Sequence, residues 1–458
     1  MNDTIAAIAT PPGEGGIGVI RLSGNLSPTI LARLFKSASG KPPRRFLPQR
    51  VYFGEIRDPG TDLCVDEVLA VYFKAPRSYT CEDVVEISSH GGPFVVSKIL
   101  RLVLDAGARL AEPGEFTRRA FLNGRIDLSQ AEAVADLIAA ASDAALRSAV
   151  AQLQGQLSAR LTAVYDGLLG VLTQLEAAID FPEEGLKLQG PDALLRQVRG
   201  AREELDGLIC SYRQGKIDRE GARVALAGKP NVGKSSLLNA LLKEDRAIVT
   251  PHPGTTRDLI EERVRVKDIH INIVDSAGLR HDPEAIEAEG ISRTRAALAR
   301  ADLTLLIFDG SQPLGPDDDL LVQEAEGKSC LMVVNKSDLP EKLETRLLRA
   351  RFQDRELIRI SARTGAGMDR LIDAIHQSVT QGRRAEEPAP VTRERHREQL
   401  RKANDALDKA GDSLEKKLSE ELIAVDIQMA LDSIGAILGK TFAEDLLDQI
   451  FGQFCIGK

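Results

Sequence analysis

The run Gly228-Lys229-Pro230-Asn231-Val232-Gly233-Lys234-Ser235 constrains this chain more than any other feature. It fits G-x-x-x-x-G-K-[ST] between the apolar Val224-Ala225-Leu226-Ala227 and the helical Ser236-Leu237-Leu238-Asn239-Ala240. A strand that enters such a loop and leaves it as a helix is built to surround phosphate oxygens with backbone N–H groups. The glycines let the backbone close, Lys234 neutralises the β- and γ-oxygens, and the Ser235 hydroxyl ligates Mg²⁺ at the helix N-terminus. From Arg223 to about Thr380, apolar runs such as 303–308 and 331–334 alternate with amphipathic helical stretches, which predicts an α/β domain with a mostly parallel sheet.

The 458 residues suffice for about three domains. Residues 1–120 alternate short β-rich runs (51–53, 68–73, 84–87) with Gly/Pro turns and read as a small α+β domain. From Leu128 the period turns helical. Leu146, Val150, Leu153, Leu157, Leu161, Val164 and Leu168 follow at spacings of three and four, which predicts one or two long antiparallel helices over 128–215. Helical period returns past Pro388 and Pro390 in Leu400, Leu407, Leu414, Leu418 and Leu422. Helices on both sides suggest that the α/β unit is inserted into one helical domain, with boundaries at 1–120, 121–217 plus 381–458, and 218–380; two independent helical domains are the alternative.

The 60 Lys and Arg against 68 Asp and Glu give a formal net charge of −8, which argues against nucleic-acid binding by bulk charge. The basic cluster Arg383, Arg384, Arg393, Arg395 and Arg397 is interleaved with Glu386, Glu387, Glu394 and Glu398 and reads as a solvated linker and helix start. The sequence contains no apolar run of about 18 residues and no signal pattern after Met1, so a cytoplasmic location is expected. Cys64, Cys81, Cys210, Cys330 and Cys455 are scattered without a CxxC pair, against a disulfide framework or a zinc site.

The base is indicated further on. Asn335-Lys336-Ser337-Asp338 closes the apolar run 331–334 and resembles the NKxD element of GTPases, whose Asp carboxylate accepts hydrogen bonds from guanine N1–H and N2–H₂. Adenine would leave that carboxylate unpaired, so GTP is expected over ATP. Ser361-Ala362-Arg363 resembles the next guanine-loop element, whose backbone N–H meets O6. Asp275-Ser276-Ala277-Gly278 supplies an acid that holds Mg²⁺ through water and a glycine N–H for the γ-phosphate. Gly254-Thr255-Thr256-Arg257-Asp258 stands in the first switch position, where Thr256 completes the Mg²⁺ shell; taken alone it is a plain Gly-Thr turn. Leu279 occupies the place of the water-orienting Gln of Ras-type proteins, so hydrolysis must draw on something else. Asn231 can offer its oxygen to a monovalent cation bridging the phosphates. Glu287 can position water, although a carboxylate there also suits a solvated helix face.

Beyond these motifs the chain resembles, from end to end, the bacterial tRNA modification GTPase family MnmE (TrmE). The likeness rests on Asp3-Thr4-Ile5-Ala6 running to Ala9-Thr10-Pro11-Pro12-Gly13, on His90-Gly91-Gly92-Pro93, Pro113-Gly114-Glu115-Phe116 and Ala120-Phe121-Leu122-Asn123, and on the terminal Phe454-Cys455-Ile456-Gly457-Lys458. The resemblance implies a folate-binding-like α+β N-terminal domain that mediates homodimerisation, a helical domain, and an inserted Ras-like P-loop GTPase domain. It implies a K⁺-dependent GTPase acting through G-domain dimerisation. It also implies a partner, the FAD-dependent MnmG (GidA), in a heterotetramer that engages tRNA. The product is a carboxymethylaminomethyl or aminomethyl group at C5 of the wobble uridine, with 5-formyl- or 5,10-methylene-tetrahydrofolate supplying one carbon.

By position, the resemblance implies that folate is bound by Arg21, Glu86, Arg125 and Lys458, Arg125 standing where some members have Lys. K⁺ falls to Asn231 with Thr250, His252 and Thr255, Mg²⁺ to Ser235 and Thr256, and catalysis to Glu287 with Lys234. The nucleotide is lined by Asn231, Val232, Gly233, Lys234, Ser235 and Ser236, by Thr250, Pro251, His252, Pro253, Gly254, Thr255 and Thr256, and by Asp275, Ser276, Ala277 and Gly278. Asn335, Lys336, Asp338, Ser361, Ala362 and Arg363 surround the base. Thr80-Cys81-Glu82-Asp83 departs from the usual T-G-E-D, and the turn there is expected to be tight for a residue with a Cβ. Cys455 is either a nucleophilic thiol or part of an apolar tail. A ribosome-assembly GTPase and a stand-alone one-carbon transferase are the competing classes. The first lacks a Gly-x-x-Gly RNA module and the second a flavin fingerprint.

Overall fold

The computed structural model of the chain describes residues 3–38, 46–181, 189–244, 262–275, 301–325, 327–346, 348, 356–380 and 390–458. The chain divides into two units, one of Met1–Ala135, Gln152–Arg202 and Lys402–Lys458, the other of Asp136–Ala151 and Glu203–Arg401. Helices α1 (Ser27–Leu34), α2 (Pro93–Asp105), α3 (Glu115–Leu122), α4 (Leu128–Ala139), α5 (Asp143–Leu153), α6 (Gln156–Asp180) and α7 (Pro191–Glu220) come first. They are followed by α8 (Lys234–Glu244), α9 (Pro316–Glu324), α10 (Met368–Thr380), α11 (Glu394–Glu415), α12 (Glu420–Leu438) and α13 (Glu444–Phe451).

In the first unit, β1 (Ile5–Ile8), β2 (Gly15–Ser23), β3 (Phe35–Ser37), β4 (Val51–Arg57), β5 (Cys64–Phe73), β6 (Val84–Gly91) and β7 (Arg109–Leu110) form one sheet in the order β3-β4-β5-β6-β2-β1-β7. Among the described residues only the pairing of β1 with β7 is parallel. Alternation along β5 turns Val68, Ala70 and Tyr72 inward and Leu69 outward. Ile30 and Leu31 of α1 and Ile99 and Val103 of α2 close over Ile20, Leu22, Ile56 and Ile87 as one core. Pro93 starts α2 directly after Gly92, at a position where its missing N–H is not needed.

The spacing predicts one or two long helices over 128–215; the described residues there form four, α4 to α7. Gly155 at φ +82 stops α5, so Leu146, Val150 and Leu153 belong to one helix and Leu157, Leu161, Val164 and Leu168 to the next. A second stripe divides in the same way. Leu400, Leu407 and Leu414 are buried on α11, but Lys417 at φ +52 interrupts the helical run and leaves Leu418 and Leu422 exposed. α12 packs along α6 and α13 against α3.

In the second unit, β8 (Ala222–Ala227), β9 (Glu262–Val266), β10 (Ile269–Asp275), β11 (Leu303–Asp309), β12 (Cys330–Asn335) and β13 (Leu357–Arg359) form a sheet in the order β13-β12-β11-β8-β10-β9. It is parallel except where β9 meets β10. One face packs Val224, Leu226, Leu305 and Val333 against Leu237 and Leu241 of α8 and Leu371 and Ile375 of α10. The other packs Ala225, Leu306, Phe308 and Met332 against Val322 of α9. Burial on both faces explains why these strands read as unbroken apolar runs. The C-terminal ends of β8, β10, β11 and β12 deliver Gly228, Asp275, Asp309 and Asn335, and the crevice beyond such ends is where α/β sheets hold ligands. The expected fold class holds: a small α+β N-terminal part, helices, and a Ras-like P-loop α/β part.

Candidate functional site

Three loops of the second unit are joined by one buried amide. Asn335, 2% exposed at the end of β12, donates from Nδ2 to Val232 O at 2.8 Å and accepts the Ala362 N–H on Oδ1 at 3.0 Å. It thereby fixes the loop 228–233 and the loop 361–366 to its own strand. Gly233 lies against it at φ +99, where a Cβ would stand 2.3 Å from Asn335 Nδ2. Gly228 is equally constrained, since a Cβ there would be 2.6 Å from Ile307 O. Asn231 adopts φ +63, a conformation that Asn tolerates better than most residues. The Lys234 ammonium is held by the carbonyls of Gly228 and Lys229, each at 2.8 Å. Ser235 and Ser236 are exposed in the first turn of α8.

Directly after Asn335, Lys336 at φ +64 extends to Asp309 Oδ2 at 2.6 Å, and Asp309 Oδ1 is held by Ser311 N–H and Oγ at 2.9 and 2.7 Å. The Asp338 carboxylate accepts the buried Ser361 hydroxyl at 2.6 Å and pairs with Arg363 at 3.1 Å. The Ser361 hydrogen bond, with Arg363 and Lys336 nearby, holds its carboxyl below the usual range. The Ala362 N–H, which the guanine reading assigns to O6, donates to Asn335 Oδ1 and has to share or exchange that partner.

Thr250, Pro251, His252, Pro253, Gly254, Thr255, Thr256, Ser276, Ala277, Gly278 and Glu287 lie outside the described residues, as does Leu279. Asp275 ends β10 in register with Leu226 of β8. Among the described residues no group of three or more His, Cys, Asp or Glu is arranged to hold a metal ion.

A second cluster forms in the first unit. Arg21 on β2 faces Glu86 on β6 in register, and its Nε and Nη2 both donate to Glu86 Oε1 at 2.8 Å. The same guanidinium is 5.6 Å from the centre of the Tyr79 ring and 5.8 Å from that of Phe116, and Nη1 donates to Gly457 O at 3.4 Å. Arg125 stacks over Tyr79 at 4.8 Å and donates to its carbonyl at 2.9 Å. The tail returns to this region: Phe116 N–H donates to Lys458 O, Ile456 bridges Pro113, and a Cβ on Gly457 would stand 2.3 Å from Ile8 O. Arg21, Glu86 and Arg125 thus meet around Tyr79, with the Lys458 backbone beside Phe116. Cys81 nearby adopts φ +59, a strained conformation for a residue with a Cβ, in line with the tight turn expected at Thr80-Cys81-Glu82-Asp83.

Beneath this cluster Arg119, 1% exposed, reaches Asp3 Oδ1 at 2.8 Å, Glu115 Oε1 at 2.9 Å and Glu82 Oε2 at 3.1 Å. Arg109 adds bonds to Glu115 and Asp3, both at 2.7 Å. Burial pushes the Glu115 and Asp3 carboxyls up, but hydrogen bonds from Arg109 and Arg119 outweigh it and hold both below the usual range. Sequence reasoning missed Tyr79, Arg119 and Asp309, and the only available signal was the arginine pair directly after Glu115-Phe116-Thr117.

Residues 4–125 match the GTP-binding protein TrmE N-terminus family and residues 128–455 the MnmE helical domain family. The chain is 46% identical to the tRNA modification GTPase MnmE of Thermoanaerobacter pseudethanolicus over 457 residues, covering 100% of this chain and 99% of that one. It is also 46% identical to that of Geobacter sulfurreducens over 460 residues, covering 100% of both. Among solved structures it is similar to Aquifex aeolicus Era bound to GDP.AlF4− (25% identity, 40% of this chain and 66% of that chain, TM-score 0.28). It is also similar to the G domain of the T. maritima FeoB iron transporter (27% identity, 34% of this chain and 98% of that chain, TM-score 0.26). With both family matches in place and relatives aligned over its whole length, the chain belongs to the MnmE (TrmE) family of tRNA modification GTPases.

Proposed function

We propose that this chain hydrolyses GTP in the service of tRNA wobble-uridine modification. The observation that supports the reading is the Asn335 junction, which ties the loop 228–233 to the loop 361–366, whose Ser361 holds the Asp338 carboxylate that would accept guanine N1–H and N2–H₂. In this reading the backbone of 229–235 and Lys234 hold the β- and γ-phosphates. Ser235, Asp275 and Thr256 would hold Mg²⁺, which would supply charge neutralisation for the phosphates. Because Leu279 cannot orient water, K⁺ bound by Asn231 with Thr250, His252 and Thr255, Glu287, and association of two G domains supply what is missing. The chain has the domains 1–120, 121–217 with 381–458, and 218–380, and it works in the cytoplasm.

Tetrahydrofolate binds among Arg21, Glu86, Arg125 and Lys458. Cationic Arg21 and Arg125 beside an aromatic ring suit a flat heterocycle with carboxylates. A homodimer forms through the N-terminal sheet, whose outer face leaves Val51, Phe53 and Leu69 exposed, Phe53 and Leu69 being directly paired across β4 and β5. MnmG completes the complex that handles tRNA.

The test is GTP hydrolysis in K⁺ and in Na⁺, with wobble-uridine analysis of tRNA from cells lacking the protein. Faster turnover in K⁺ and an unmodified uridine are expected. Equal rates in the two salts remove the cation role, and an unchanged nucleoside removes the modification role.

A further inference from the structure

The phosphate loop carries a second lysine whose ammonium turns away from the Lys234 side chain. Lys229 Nζ is 2.5 Å from Asp318 Oδ2, the carboxylate being 7% exposed. Asp318 is the third residue of α9, and the same oxygen accepts the Gly315 N–H at 3.0 Å, so the carboxylate is anchored to the helix start before it meets the lysine. The ammonium lies so close over this turn that a Cβ on Gly315 would be 2.9 Å from it. The main chain of the same lysine does a different job, since its carbonyl is one of the two that hold Lys234 Nζ.

We propose that Asp318 is a positioning residue for GTP binding. By clamping the Lys229 side chain onto α9 it fixes the Lys229 carbonyl, and through it the Lys234 ammonium, at the phosphate position. The inference rests on the GTP-binding reading and deepens it. It also predicts that Lys229, despite its charge and place in the loop, makes no direct contribution to phosphate affinity, because its charge is neutralised by Asp318.

The test is a double-mutant cycle on the full chain with Lys229→Met, Asp318→Asn and the pair, with Asp317→Asn as the control for charge loss in the same helical turn. GTP affinity, KM, kcat and XTP discrimination are measured together with the thermal midpoint. We expect each single change to weaken GTP binding about tenfold, the usual worth of one charge-assisted hydrogen bond. The pair should be no worse than the weaker single variant, Lys229→Arg should restore binding, and base discrimination should not move. Unchanged or tighter GTP binding in Asp318→Asn, penalties that add, or an equal loss in Asp317→Asn overturns the proposal. Absence of GTP binding by the unaltered chain overturns the GTP reading itself, which separates the two failures.

Discussion

Arg119→Met tests whether the ion cluster of the first unit holds that unit together. The guanidinium is buried and bonds to three carboxylates, and after its loss they fare differently. Glu115 keeps both Arg109 bonds and the Glu112 N–H, and Asp3, 44% exposed, can turn to water. Glu82, 17% exposed, keeps the Ser23 hydroxyl but loses the cation that Arg119 brought to it. Removing one partner of a fully buried pair costs about 3–5 kcal/mol; with one of three carboxylates stranded and partly solvated, the expected cost is about 2–4 kcal/mol. Arg119 Nε has no hydrogen-bond partner among the described residues, which argues for the lower half of that range.

The assay is urea unfolding read through hydrogen exchange of the β1 amides, so that the first unit is followed by itself. Adding Glu82→Gln to Arg119→Met should recover part of the loss. A cost under about 1 kcal/mol, or a double variant whose cost is the sum of the two, would refute the reasoning. Acid provides a second readout. Because the folded Asp3 and Glu115 carboxyls are lowered, their contribution is full above the ordinary carboxylate range near pH ~4 and is lost as pH falls through the folded values. Arg119→Met should flatten that acid-side slope.

Asp338→Asn should move preference from GTP to xanthosine triphosphate, since an amide can donate to the xanthine 2-oxo group; undiminished GTP selectivity in a hydrolysis assay would count against the base assignment. Gly233→Ala combines a left-handed backbone with a 2.3 Å approach to Asn335, so it should displace that amide, lose about 2–4 kcal/mol and abolish measurable GTP binding. Gly457→Ala meets Ile8 O at 2.3 Å at φ +98 and should release the tail. Calorimetry should then show weakened tetrahydrofolate binding with GTP turnover retained.

What could be read in advance followed from locality. The eight residues of the phosphate loop are contiguous, and their glycines are demanded by contacts at Gly228 and Gly233 that any chain with this motif must make. The Cys81 strain was also legible, because the run 80–83 reads as a tight turn and puts a residue with a Cβ in it. The Arg119 cluster was legible only in part: Glu115 stands one helical turn before Arg119, but Asp3 and Glu82 are remote in sequence and nothing local at either signals the arginine. The helix break at Gly155 was hidden for a different reason: the apolar spacing continues unchanged across it, and periodicity carries no information on whether the backbone does.

The tail that closes over Arg21 has a consequence in time. Arg21 and the Gly457 carbonyl it binds are 436 positions apart. At roughly 5–20 residues per second, the ribosome makes the second about 20–90 s after the first. For the part of that interval after β7 and Phe116 have been made, the N-terminal sheet has its strands but lacks the cover that the tail brings to Ile8 and Phe116. Its maturation therefore waits until synthesis reaches Gly457, and synthesis interrupted before that point leaves the sheet without this cover.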